Sequence, residues 1–370
     1  MKKILLLVAI AATVNVNLNA QRILTTPPSG GNKKASVSER IGITDISIHY
    51  DRPGVKGREG KIWGELIPVG YSDQNFGSSK EAPWRAGANE CTTFECSTDV
   101  TVDGNNLAAG KYGFFIAYGA DECTLIFSKN STNWGSFYYD AKDDALRVKV
   151  KPVALDKSVE WLKYEFTNQT NEAAVVNLMW EKLSIPFKVA VDLNKTQIES
   201  FRNELRTDKG FYWLPWQTAA QWCVDHNTNL EEALLWADTS LNPNVLGNVN
   251  FQTLSTKAQV LTKLNRLNEA DEAMKAAFPL ASMNQAHAYA RQLLVQKRNK
   301  EAFEIFKMNY DKYPNVFTTN MVMVRAYSAM GDYKKALSFA EKALPQAPDN
   351  VNKQNVEKII AILKEGKDVN

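Results

Sequence analysis

Chemistry-bearing side chains concentrate in one part of this chain. Arg52, Arg58, Arg85, Asn89 and Glu90 fall in turns or at strand ends, with Trp84 beside them. The densest stretch is Trp84-Arg85-Ala86-Gly87-Ala88-Asn89-Glu90. A guanidinium fork can hold a carboxylate or phosphate through paired bonds, each contributing roughly 1.5–3 kcal/mol. Trp84 offers a face on which a sugar ring or another planar group could stack. The same residues have a structural reading, in which Arg85 and Glu90 tie loops across a sandwich end and Trp84 plugs the core. Pro53, Gly57 and Gly87 are then ordinary turn residues. Functional side chains tend to ride on loops fixed by a rigid scaffold, so the choice depends on the elements beneath.

Other catalytic patterns are weak. Asp51, Glu65 and Glu90 are candidates for paired-carboxylate catalysis, but a glycosidase needs two carboxyls facing one cleft at a defined distance. The histidines are His49, His226 and His287, in a strand and two different helices, and no CxxC or HExxH occurs. No GxSxG is present, and no cysteine sits in a catalytic context. The segment from Gly54 to Ile62 has the wrong glycine spacing for a phosphate loop, and Ile62 replaces the metal-binding hydroxyl. No GxGxxG follows a strand. No catalytic residue, metal or cofactor is assigned. The enzyme alternative is a cell-envelope hydrolase, carbohydrate-active in one form, built on Arg52, Arg85, Asn89 and Glu90.

Period-two patterning must position these loops. Thr92, Phe94, Cys96, Thr98, Val100 and Val102 alternate with polar residues, and Asp103-Gly104 then signals a turn. Tyr112 to Tyr118, Cys123 to Phe127, Leu146 to Val150 and Leu162 to Phe166 repeat the alternation. Ala174 to Trp180 and Ile185 to Val191 complete the series. Residues 35–192 therefore read as an antiparallel β-sandwich, with a closed barrel as the other solution.

After Asn194 the period becomes helical, and Thr196 is placed to cap the first helix. Ala302 and Ala336, Leu293 and Tyr327, and Pro314 and Pro348 are each 34 residues apart. That period resembles tetratricopeptide repeats, a multidomain β + α arrangement in which an α-solenoid follows the sandwich over residues 196–366. Asn299 and Asp332 are expected to cap second helices, and residues 352–364 to close the array. Tyr327, Ala336, Ala343 and Pro348 match the repeat consensus, whereas its Trp and Gly positions are unmatched. Earlier copies, around Leu261, Ala270 and Ala277, are degenerate. Aligning on Ala302 and Ala336 puts Asn284, His287, Arg291 and Leu294, then Thr318, Met321, Arg325 and Ser328, along a concave groove. Gln252, Ser255, Gln259 and Thr262 extend it. The groove suits an extended peptide or protein partner; the plain alternative is a solvated helix face.

The address is read from the start of the chain. Met1-Lys2-Lys3, an apolar run from Ile4 to Val14 and a small residue at Ala20 make residues 1–20 a signal peptide, with 21–34 an extended arm. The run is too short for a spanning helix of roughly twenty apolar residues. An exported protein, periplasmic or secreted and without a membrane span, is expected. A chain of 370 residues exceeds what one core usually holds, so two domains are expected. A formal charge of +3, two units of it from Lys2 and Lys3, gives no reason to invoke nucleic acid. Cys91, Cys96, Cys123 and Cys223 are too few for a disulfide scaffold, and their pairing cannot be read from spacing.

Several blocks, in order, resemble an exported bacterial family catalogued as domain of unknown function 2911. They are Tyr50-Asp51-Arg52-Pro53 with Gly57-Arg58, Trp63-Gly64-Glu65-Leu66-Ile67-Pro68, the Trp84 to Glu90 block, Ala109-Gly110-Lys111-Tyr112, Trp134-Gly135 and Trp180-Glu181. The resemblance covers residues 35 to 190 and implies a secreted β-domain. It implies no activity.

Overall fold

The computed structural model describes residues 31–243 and 246–370. The expected signal peptide and residues 21–30 of the expected arm lie outside them. The chain divides between Ala190 and Val191 into two compact units. No helix among the described residues is long and apolar enough to cross a membrane.

The first unit is built from β1 (Lys33–Ile41), β2 (Thr44–Arg52), β3 (Thr93–Cys96), β4 (Val100–Val102), β5 (Asn105–Leu107), β6 (Gly110–Ala117), β7 (Cys123–Ser128), β8 (Asp144–Val150), β9 (Val153–Thr167) and β10 (Ala173–Ala190). Lys33 and Lys34, expected in the arm, instead begin β1. Six strands run in the order β1-β2-β3-β6-β7-β8, and four in the order β5-β4-β10-β9. Every pairing between these strands is antiparallel. The inner faces meet through aromatics, so the unit is a sandwich and not a closed barrel. Phe94, Phe114 and Phe127 of the larger sheet surround Phe187 of β10 at 5.6–6.5 Å, and Tyr50 meets Tyr164 at 4.7 Å.

Two strands depart from the sequence pattern for identifiable reasons. The alternation from Thr92 to Val102 is not one strand, because the chain changes sheets between β3 and β4. Asp45 and Ser97 exchange hydrogen bonds there, and Asp99 Oδ1 accepts the Ala109 amide. Both halves face the same core, so the alternation continues through the break. The two series on either side of Glu181 are conversely one strand, β10. Its register with β9 shifts between Met179 and Leu183, and Glu181 has φ 51°. That bulge moves the core-facing positions from even to odd numbers. Asp103 and Gly104 close the β4–β5 hairpin at φ 44° and 82°, as a two-residue turn requires.

Between β2 and β3 lies a connection with no long strand, fastened by isolated bridges. Gly54 pairs with Trp161, Gly70 with Tyr118, Ser72 with Ala82 and Trp84 with Ile116. Val55, Ile62, Ile67, Ala82, Trp84 and Ala86 are buried, so the segment is a packed layer. It carries most of the candidate side chains.

The second unit holds ten α-helices among the described residues: α1 (Leu193–Glu204), α2 (Trp213–His226), α3 (Leu230–Leu241), α4 (Phe251–Lys263), α5 (Leu267–Ala277), α6 (Met283–Val295), α7 (Asn299–Lys312), α8 (Phe317–Ala329), α9 (Tyr333–Ala343) and α10 (Asn350–Lys364). They follow one another as helical hairpins. Met283 and Phe317 open α6 and α8 at a spacing of 34 residues, matching the sequence period. Fully buried Ala290, Ala302, Ala326 and Ala336 let the helices approach closely. Tyr327 packs between Phe303 and Phe339. Two expected caps are corrected. Asp192, not Thr196, caps α1 by accepting the Lys195 amide. Asn299 caps nothing and instead donates to the Ala329 carbonyl, whereas Asp332 caps α9 as expected.

Candidate functional site

The loop cluster converges only in part: Arg58, Trp84, Arg85 and Asn89 line one hollow, and Arg52 and Glu90 do not. Arg52 donates from Nε to the Leu162 carbonyl at 2.8 Å, which ties β2 to the facing sheet. Arg58 closes its own turn through the Val55 and Gly54 carbonyls at 2.9 and 2.7 Å. Trp84 is 9% exposed, and its Nε1 donates to Gly87 O at 3.1 Å. Its ring stacks with Trp180 at 6.2 Å and meets Trp63 edge-on at 5.5 Å. Trp84 is therefore a core plug with one edge on a cleft. Asn89, at φ 52°, accepts Asn32 Nδ2 on its side chain and Arg85 Nη1 on its carbonyl. Glu90 turns the other way and pairs with exposed Lys34 at 2.7 Å. The proposed hydrolase set is thus split between two hollows, with Arg52 spent on a backbone carbonyl.

One hollow, of about 730 Å³, lies on the outer face of the larger sheet and is lined by Lys34, His49, Asp51, Glu90, Thr93 and Lys111, among others. Two of the three candidate carboxylates, Asp51 and Glu90, meet there, while Glu65 lies exposed on a separate turn. Asp51 is 3% exposed, and its Oδ1 has no hydrogen-bond partner among the described residues. Glu90, by hydrogen bond and charge, and Asp51, by charge, raise the Lys34 ammonium above its ordinary range, against partial desolvation.

The other hollow, of about 480 Å³, opens beneath the block that contains Arg85. The Arg85 guanidinium lies over the Phe137 ring at 5.3 Å. It also fills the space beside Gly135, where an added Cβ would stand 2.8 Å from its carbon. Burial lowers its pKa, and among the described residues it has no ion-pair partner.

The helical candidates divide as well. His287, half-buried, and exposed Arg291 on α6 lie within electrostatic reach of half-buried Arg325 on α8. Burial lowers the His287 pKa, and Arg291 and Arg325 lower it further. Arg325 is also lowered, first by burial and then by Arg291. Asn284 is exposed at the start of α6, and Thr318 borders a separate hollow beside Tyr313 and Phe317. Met321 and Ser328 do not line an open groove, being 9% and 2% exposed. The chain's own residues 368–370 lie over part of that face. Ser328 Oγ donates to Asp368 Oδ1 at 2.6 Å and accepts the Val369 amide at 3.0 Å. Arg325 Nη1 donates to Val369 O at 3.4 Å, and Asn370 Nδ2 donates to Arg325 O at 3.1 Å. These tail contacts were not foreseen from the sequence. Further back, Gln252 and Gln259 bond to Gln217 and Gln221 of α2, so their amides serve helix packing.

All four cysteines are buried and unpaired. Burial pushes the Cys91 thiol up to about 12 and those of Cys96 and Cys223 to about 11. Among the described residues no group of three His, Cys, Asp or Glu is arranged to hold a metal ion.

Residues 32–189 match the family described as "Protein of unknown function (DUF2911)". The search of curated proteins gives no match. One similar solved chain is described as "Crystal structure of YrrB: a TPR protein with an unusual peptide-binding site". It is 19% identical, with a TM-score of 0.24, over 44% of this chain and 99% of that one.

Proposed function

We propose that this is an exported interaction protein whose helical unit holds an extended acidic segment of a peptide or protein partner. The binding face is formed by the cations Arg291 and Arg325, with His287 and Ser328 beside them. One observation carries the reading: residues 368–370 already lie there, with the Val369 backbone and the Asp368 carboxylate bonded to Ser328 and Arg325. Ser328 accepts a main-chain amide and Arg325 donates to a main-chain carbonyl, while the Ser328 hydroxyl donates to an acidic side chain. Arg291 adds a further cation, exposed and without a hydrogen bond or ion pair among the described residues. An acidic residue beyond the tail's own Asp368 would be drawn to it. YrrB is described as a TPR protein with an unusual peptide-binding site; for this chain the support is the tail contact alone.

The test uses the chain shortened by residues 367–370, which follow the end of α10. A fluorescein-labelled peptide of sequence Gly-Lys-Asp-Val-Asn is titrated by anisotropy. Saturable binding is expected, weakened about 5- to 30-fold by Ser328→Ala, which removes the hydroxyl that donates to Asp368 and accepts the Val369 amide. No binding, or equal binding by the Ser328→Ala protein, would refute the proposal.

A further inference from the structure

The hollow beneath the Trp84 block lies in the β-sandwich unit, and the argument for it is independent of the helical face. Its walls are mixed, with Leu66, Pro68, Trp84 and Trp180 supplying apolar surface and Arg58, Arg85, Gln74 and Asn89 polar surface. Two cations, Arg58 and Arg85, also line it, and no Asp or Glu does so among the described residues. A partly apolar cleft with a few fixed polar groups is the usual form of a small-molecule site.

Arg85 keeps unspent donors in this cleft. It uses Nη1 on the Asn89 carbonyl, and no other hydrogen bond or ion pair engages its guanidinium among the described residues. Its guanidinium lies over Phe137 and against Gly135, contacts that restrict its movement, and the residue is half-buried. Trp180 is 1% exposed and gives the same cleft an apolar wall, while its Nε1–H, without a partner among the described residues, is sealed from the open space. Arg58 has given Nε and Nη2 to carbonyls but still brings its charge to the rim. A metal cation is disfavoured by two guanidiniums, and a neutral sugar would leave them unpaired. The missing partner is therefore an anion with oxygen acceptors, attached to an apolar body that fits the remaining wall.

We propose that this cleft binds a small organic oxyanion, with its carboxylate or phosphate on Arg85 and its aliphatic or aromatic body along Leu66 and Pro68. The head group answers the unpaired donors, and the wall answers the tail.

Calorimetric titration of the full chain tests this with hexanoate, hexyl phosphate, neutral hexanamide and acetate. At least one of the two long anions should bind saturably. Hexanamide should bind at least about tenfold more weakly, as should acetate, which lacks the body. The relative strength of hexanoate and hexyl phosphate identifies the head group. Arg85→Gln should weaken the better anion by about tenfold or more, and Arg85→Lys, which keeps the charge and loses the fork, by less. If neither anion binds, or hexanamide binds equally well, the proposal fails on the unmodified protein alone, whatever Arg85→Gln does to folding. Unchanged affinity in a folded Arg85→Gln protein would also overturn it.

Discussion

Ser328→Ala removes the hinge of the contact between the tail and α8. Ser328 is 2% exposed, and its hydroxyl serves twice, donating to Asp368 Oδ1 at 2.6 Å and accepting the Val369 amide at 3.0 Å. The neutral amide bond is worth about 0.5–1.5 kcal/mol. The bond to carboxylate would be stronger in isolation, but Asp368 is exposed and keeps the Asn370 side-chain amide at 2.8 Å. Taken together the loss is about 1–2 kcal/mol, which shifts the docked-to-released ratio of the tail by roughly 5- to 30-fold. Val369 keeps its packing against the buried cluster that includes Met321 and Val324, so release is partial. The alanine itself suits a helix interior, and the rest of the helical unit should melt unchanged. Amide hydrogen exchange followed by NMR reads this directly: protection of the Val369 amide should fall by the same factor. If the Val369 amide in the unmodified protein exchanges as fast as an open-chain amide, or if Ser328→Ala leaves its protection unaltered, the reasoning fails.

Acid should also release the tail. Burial works to raise the Asp368 pKa, but hydrogen bonds from Ser328 and Asn370 prevail and hold it below 3.8. The docked pKa is the depressed one, so this contribution is complete above that ordinary value and is lost as pH falls through the docked value. Val369 exchange that stays protected throughout such a titration would contradict it. Trp84→Ala should cost about 3–5 kcal/mol in urea unfolding of the β-unit, as expected for emptying a packed aromatic site. A loss below about 1 kcal/mol would show that Trp84 is no plug. The buried, high-pKa thiols of Cys91, Cys96 and Cys223 should resist iodoacetamide at about pH 8 until denaturant is added. Rapid native labelling followed by mass spectrometry would contradict their burial.

Much of the architecture was legible because burial enforces periodicity. The two-residue period gave the strands of both sheets, and the 34-residue spacing of Ala302 and Ala336 gave the helical hairpins. What was misread had local causes. Alternation persists through the sheet change at residues 97–99 because both halves face one core, so pattern alone cannot reveal the break. The switch from even to odd core positions around Glu181 was a visible sign of a bulge, read instead as two strands. At Thr196, a suitable cap residue was outcompeted by Asp192, one helical turn earlier.

The candidate sites were legible in content and not in geometry. The Trp84-Arg85 block, Ser136 and Trp180 are far apart in the sequence, and only the fold brings them around one cleft. Glu90 follows Asn89 directly yet faces another hollow, because the chain crosses from loop to strand there. Consensus positions placed Met321 and Ser328 on an open groove. The apolar run Met321-Val322-Met323-Val324 was the available warning, since a helix apolar on all sides is covered on all sides. The covering segment itself, residues 367–370, gives no signal in periodicity or composition.

The central claim is that the tail and a partner compete for one face of the helical unit. Its most direct test compares the labelled Gly-Lys-Asp-Val-Asn peptide on the full chain and on the chain lacking residues 367–370. A tethered competitor acts at an effective concentration on the order of millimolar, so removing it should tighten binding by about tenfold or more. Equal affinity for the two proteins would contradict the account.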